Sequence, residues 1–193
     1  MKKTIKSNKR TMPSNLIMLQ TYSQTISQSC LAVALLNISE IKITKKKEWE
    51  VLEAALKYSK DDFAVGHIEY LVKKYNKKFD YYLDNKEYGK YVNKKHLSKN
   101  VKIFQEKITL NLINKLIKNA PIILQIDSYA FWRITHVSHF VIITEKTKTG
   151  YKVYDPWFGK FFNKTSKEVS TGIRSLRNLL KFWPQIIQSS QMK

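Results

Sequence analysis

Only one cysteine, Cys30, occurs among the 193 residues of this chain, so no disulfide can close within it. A secreted domain more often carries an even set, and the lone thiol favours a reducing compartment. Long apolar runs are also missing: none approaches the roughly 18 residues needed to cross a bilayer. The basic start, MKKTIKSNKR, resembles the n-region of a signal peptide. The NLIML that follows falls short of the roughly 7 to 15 apolar residues of an h-region. These absences point to a soluble, cytoplasmic protein without a transmembrane segment. Acidic residues are few, 15 against 35 Lys and Arg, which leaves a formal charge of +20. Within that excess arginine is scarce, limited to Arg10, Arg133, Arg174 and Arg177. A charge this large attracts nucleic acid, anionic membrane or acidic partners. Bidentate reading of guanine or phosphate prefers arginine, however. Lys2, Lys3, Lys6, Lys9 and the lysines between 73 and 102 therefore read first as solvated surface, and second as a patch for an anionic surface.

What is there suits a globular protein. At 43% apolar and 12% aromatic, the chain can bury a real core. No internal repeat or low-complexity linker divides it, so residues 1–19 read as a basic arm and 20–193 as a single domain. Cys30 to Asn37 has the pattern of a short apolar helix, with Ser27 or Ser29 as cap. Thr44 to Tyr58 is a second helix, its Trp49, Leu52 and Leu56 recurring at helical spacing as a core face. Asp61 is positioned to cap a third, running to Tyr75 with Phe63, Ile68, Leu71 and Val72 inward. Phe79, Tyr81 and Leu83 alternate as in a strand. Residues 84–100 read as exposed, lysine-rich connection, followed by a strand over Lys102 to Gln105. A helix capped by Thr109 leads to the strand PIILQID, then to an irregular SYAFWRIT. Strands follow at Val137–Glu145 and Tyr151–Asp155, and a last helix spans Ser166 to Phe182. Its Leu176, Leu179 and Leu180 are read as packing on the core rather than lying on a membrane. Helices first and strands afterwards give the α+β class.

The residues that can carry chemistry converge on Cys30. A thiol that attacks an acyl carbon needs a base, a group that orients the base, and donors for the oxyanion. A helix N-terminus favours the thiolate, and Cys30 stands at one. Gln24, six residues upstream, can fold its amide back as a second oxyanion donor beside the Cys30 N–H; Gln28 is the local rival. Of the four histidines, His67 and His96 read as surface residues. His139 opens HFVII, a strand apolar on both faces, with Val141 and Ile143 on its own face and Phe140 and Ile142 on the other. His136 points to the opposite face, and no cluster of further ligands supports a metal site. A hairpin folding about residue 147 sets Asp155 directly across from His139, where it can accept the imidazole N–H. Trp157 can then shield the pair from water, and Asp127 is the rival carboxylate.

With these residues in view, QTISQSC, TLNLINKLIKNAPIILQID and SHFVIITEKTKTGYKVYDPWFG resemble the papain-like cysteine peptidases. The likeness is to the bacteriocin-processing, double-glycine-leader peptidase group and its stand-alone relatives. It covers roughly residues 20–40 and 105–183. The resemblance implies Gln24 as oxyanion donor, Cys30 as nucleophile, His139 as general base and acid, and Asp155 as orienter. It also implies a helical part packed on a C-terminal antiparallel sheet, no cofactor, and a peptide or protein substrate. The family often has Gly directly after the cysteine; Leu31 stands here, and a side chain at that position is expected to narrow the groove. The same triad also runs acyl transfer. Two other readings stand beside peptide-bond hydrolysis: a catalytically silent peptide-binding relative, and a basic protein for nucleic acid or an anionic surface.

Overall fold

The computed structural model describes residues 18–59, 62–94 and 98–190. The arm up to residue 17, Asp61 and His96 lie outside them. The elements run α1 (Cys30–Ile38), α2 (Lys45–Tyr58), α3 (Phe63–Tyr75), β1 (Phe79–Leu83), α4 (Lys86–Lys94) and β2 (Val101–Gln105). Then come α5 (Leu110–Leu116), β3 (Ile122–Asp127), α6 (Tyr129–Trp132), β4 (Ser138–Lys146), β5 (Gly150–Asp155), β6 (Lys160–Thr165), α7 (Ser166–Asn178) and β7 (Gln185–Ser189). The seven strands form one sheet in the order β2-β1-β7-β3-β4-β5-β6, and the chain is α+β.

The sheet is mixed rather than wholly antiparallel: β1 and β2 run parallel, and every other pair is antiparallel. The reason lies in residues 84–100, which are not mere connection. They contain α4, and a strand–helix–strand crossover returns the second strand parallel to the first.

The sheet separates two apolar clusters. On one side Leu31, Leu35 and Ile68 from the helices meet Phe140, Ile142 and Tyr154. On the other, Leu112, Val169 and Ile173 meet Val141, Ile143 and Val153. The alternation along β4 is thus the one its sequence announces.

Helix α2 is turned from the expected face. Glu48, Val51 and Ala55 are buried, whereas Trp49 is 51% and Leu56 57% exposed. Small residues decide this. A Cβ added to Gly66 on α3 would lie 2.1 Å from the Ala55 carbonyl oxygen, so the two backbones meet where neither residue brings bulk. Each helix is capped as its sequence allows: Thr44 accepts from the Lys47 N–H, and Asp62, next to the expected Asp61, accepts from the Val65 N–H.

The last helix is shorter than expected and gives way to a strand. α7 opens on a capping box between Thr165 and Glu168 and buries Val169, Ile173 and Leu176. Arg177, paired with Asp84 and donating to the Ile108 carbonyl, fixes its end, and Leu179 is exposed. Lys181 takes a left-handed φ of 58°, and Pro184 leads into β7. Among the described residues no helix is long and apolar enough to cross a membrane.

Gly66→Ala forces the α2 and α3 backbones apart. A loss of about 1–3 kcal/mol is expected in urea unfolding, with secondary structure unchanged by circular dichroism.

Candidate active site

Cys30 is the first residue of α1, and it lines a cavity of about 840 Å3 together with His139, Gln125 and Trp157. The helix start is unusual in one respect. Ser29 occupies the N-cap position, yet its side chain makes no cap hydrogen bond. Its hydroxyl is engaged instead with the Ile26 carbonyl and with Glu48. The first N–H groups of a helix have no partner within it, so those of α1 are left without a side-chain cap next to the thiol.

Glu48 is the group that sequence reasoning missed. It is fully buried and gathers the loop leading to Cys30. Its carboxylate accepts from Tyr22 Oη at 2.7 Å, Thr25 N and Thr25 Oγ1 at 2.8 Å each, Ile26 N at 3.3 Å, and Ser29 Oγ. Burial alone would raise its pKa, but the hydrogen bonds from Ser29, Tyr22 and Thr25 outweigh this and hold it below the ordinary 4.5. The available signal was its place one turn into an amphipathic helix. That position reads as surface unless the helix is known to be turned.

His139, next to the first residue of β4, is wholly buried and donates from Nε2 to Asp155 Oδ1 at 2.8 Å. Nδ1 has no hydrogen-bond partner. Burial disfavours the imidazolium, but the bond to Asp155, the close approach of the Cys30 side chain and the negative charge of a Cys30 thiolate outweigh it, and the pKa is pushed up to about 9. The Trp157 ring stacks on the imidazole with centroids 4.0 Å apart, as expected of a shield. Asp155 accepts two further bonds, from Trp157 N at 2.8 Å and from Trp132 Nε1 at 2.9 Å. Trp132 comes from α6, a helix within the stretch expected to be irregular.

The expected pairing register is corrected. Ile142 faces Tyr154 and Ile143 faces Val153, so the ladder continued places Asp155 across from Val141 rather than His139. The turn lies later than residue 147, with Thr147 N donating to Gly150 O, and a bulge interrupts the ladder between Ile143 and Glu145. The net displacement is even, which preserves the face of Asp155. The carboxylate therefore reaches His139 diagonally instead of head-on.

Gln24 is not where it was expected. Its Nε2 donates to the Ile26 and Ser27 carbonyls at 2.7 and 3.0 Å, and it does not line the cavity; Gln28 does. The turn toward α1 offers two carbonyls close to the amide, and they capture both of its N–H groups. The Gln24 backbone serves otherwise: its N–H donates to Pro156 O at 2.8 Å, Ser23 Oγ to Trp157 O, and Tyr154 Oη to Tyr22 O. These bonds tie the loop before Cys30 to the turn after Asp155. Gly159, at φ 62°, lies so close that a Cβ would be 2.5 Å from Ser23 N.

Three other expectations are corrected or resolved. Leu31 is fully buried in the core and does not line the cavity, so it does not narrow the groove. His67 is not a surface residue: it is fully buried, donates from Nδ1 to Phe63 O, and is pushed down to about 4 by burial. Asp127 pairs with half-exposed His136 at 2.7 Å and also accepts from Ser175, a second His–Asp contact away from the thiol. Among the described residues no group of three or more His, Cys, Asp and Glu is placed to hold a metal.

Two measurements check this geometry. Glu48→Gln sets an amide N–H against the loop donors and is expected to cost about 1–3 kcal/mol at pH 7. Because the folded pKa of Glu48 is depressed, its contribution is fully present above the ordinary value of 4.5 and lost as pH falls through the folded one. The gap between wild type and variant in urea unfolding should therefore close on acidification. Asp155→Asn turns an N–H toward Trp132 Nε1–H. A cycle with Trp132→Phe should return roughly 1 kcal/mol or more of coupling, since the phenyl ring removes the opposed donor.

Comparison of the chain with protein-family models, with curated proteins and with solved structures finds no match.

Proposed function

We propose that this protein is a cysteine peptidase-like hydrolase of papain-like architecture, cleaving a peptide or amide bond through Cys30, His139 and Asp155. One observation carries the reading. His139 donates from Nε2 to Asp155, while its buried Nδ1 has no hydrogen-bond partner and Cys30 lines the same cavity at an uncapped helix start. A base oriented on one nitrogen and free on the other, beside a thiol, suits nucleophilic acyl chemistry.

In this mechanism the Cys30 proton rests on His139 Nδ1, whose raised pKa favours the thiolate–imidazolium pair, and Cys30 Sγ attacks the carbonyl carbon as the thiolate. Asp155 holds the Nε2–H and stabilises the imidazolium. The oxyanion is received by the Cys30 N–H and by the Gln24 amide, once that amide exchanges a carbonyl of its own turn for the substrate. The imidazolium returns the proton to the leaving amine, and water, deprotonated by His139, releases the acyl group from sulfur.

A second reading is favoured by the inward Gln24 amide: a silent relative that holds a peptide in the same cavity without turning it over.

The test is turnover of a fluorogenic peptide amide together with labelling of Cys30 by iodoacetamide at pH 7. Labelling faster than that of a free cysteine is expected, and slowed in His139→Ala. Gln24→Ala is expected to lower kcat by about a hundred- to a thousandfold, with Gln28→Ala close to wild type. kcat/KM should fall above about pH 9 as His139 loses its proton. The same raised pKa makes its contribution to stability complete below 6.5 and lost as pH rises through about 9. Labelling no faster than free cysteine sinks the nucleophile. Peptide binding that survives Cys30→Ala, without turnover in the wild type, establishes the second reading instead.

A further inference from the structure

Gln125 has one half of its carboxamide committed and the other free. It sits on β3 opposite Phe140, the neighbour of His139, and is 6% exposed. Its Nε2 donates to Ser138 Oγ at 2.7 Å, whereas Oε1 is buried with no hydrogen-bond partner. Both Gln125 and Ser138 line the cavity that contains Cys30. A polar oxygen buried without a donor costs about 1–3 kcal/mol, and such groups mark places where a partner is to be supplied.

The surroundings narrow the kind of partner. The chain carries a formal charge of +20, yet among the described residues lining the cavity there is no lysine or arginine. Phe63, Phe182, Trp183 and Val137 give it apolar walls. Asp62 also lines the cavity, but its carboxylate accepts from the Val65 N–H and from Tyr88 Oη. The unpaired acceptor of Gln125, itself uncharged and beside Cys30, matches a neutral N–H donor.

We propose that Gln125 is a substrate-binding residue whose Oε1 accepts a backbone N–H of an extended, uncharged peptide segment close to the scissile bond. The proposal rests on the reading of Cys30 as nucleophile. Ser138 holds the carboxamide by its Nε2 and leaves Oε1 as the unpaired end of a side chain in the cavity wall. The bond sets how far along the groove the peptide lies, and hence which carbonyl meets Cys30. The aromatic walls favour an apolar side chain on that segment.

The test uses a benzyloxycarbonyl-Phe-Ala vinyl sulfone, its analogues N-methylated at one amide each, and methyl methanethiosulfonate, a small thiol reagent with no N–H. Second-order rate constants for modification of Cys30 are measured on the wild type and on Gln125→Met. Expected is a three- to tenfold slower reaction of the peptidyl probe with the variant, and no change with methanethiosulfonate. Methylating one amide should slow the wild type by the same factor and leave the variant unaffected. The proposal is overturned if the two changes multiply independently, or if no single methylation slows the wild type. It is also overturned if the peptidyl probe fails to react while methanethiosulfonate reacts fast. If Gln125→Met does not fold, the methylation series on the wild type decides. A wild-type methanethiosulfonate rate no higher than that of free cysteine overturns the nucleophile, a failure recognisably different from those of Gln125.

Discussion

A single buried carboxylate, Glu48, holds the surroundings of Cys30 in shape. Without it, the loop from Tyr22 to Ser29 would have to satisfy two backbone N–H groups and three hydroxyls elsewhere. Its less obvious effect is on the helix it does not belong to. By drawing the Ser29 hydroxyl toward itself, it removes the one side chain positioned to cap α1. A helix N-terminus that lacks a cap costs stability, typically about 1 kcal/mol. Here the cost falls where unpaired N–H groups are of use to an anion.

The other half of the site depends on rigidity of a different kind. His139 and Asp155 stand on neighbouring strands whose side chains are packed on both sheet faces, so neither has room to wander. Asp155 is held by three donors from three places, namely β4, the turn at Trp157 and α6. The bonds between the Tyr22–Gln24 segment and residues 154–157 then lock the thiol's loop to the carboxylate's turn. Residues more than a hundred positions apart thus share one frame.

Much of this was legible in the sequence where one short-range rule sufficed. The helix at Cys30, the two-faced strand at HFVII and the face of Asp155 follow from periodicity, which survives even when the register is misjudged by two residues. What was not legible required knowledge of neighbours. The rotation of α2 comes from the contact of Ala55 with Gly66, which no pattern within α2 announces. The inward Gln24 amide reflects a competition between its own turn and the site. α4 lies in a lysine-rich stretch with weak patterning, β6 is mostly exposed and shows no apolar alternation, and β7 follows directly on the end of the expected last helix. Trp132 looked like part of an irregular segment, because its role is defined only by the carboxylate it meets.

The place of β7 bears on how the molecule comes together. It lies between β1 and β3, and among the described residues its register with those two strands is the only strand pairing that joins β1 and β2 to the rest of the sheet. Tyr81 and Gln185, bonded across that pairing at 2.6 Å, are separated by 104 residues. Pairings of such long range are slow to form, because a large loop must close before any contact rewards it. Until residues 185–189 settle, both flanking strands present open edges to neighbouring chains, and association by edge pairing competes with closure. The strand made last in the described chain is therefore the keystone of the sheet, and its docking sets the pace at which the site acquires its support.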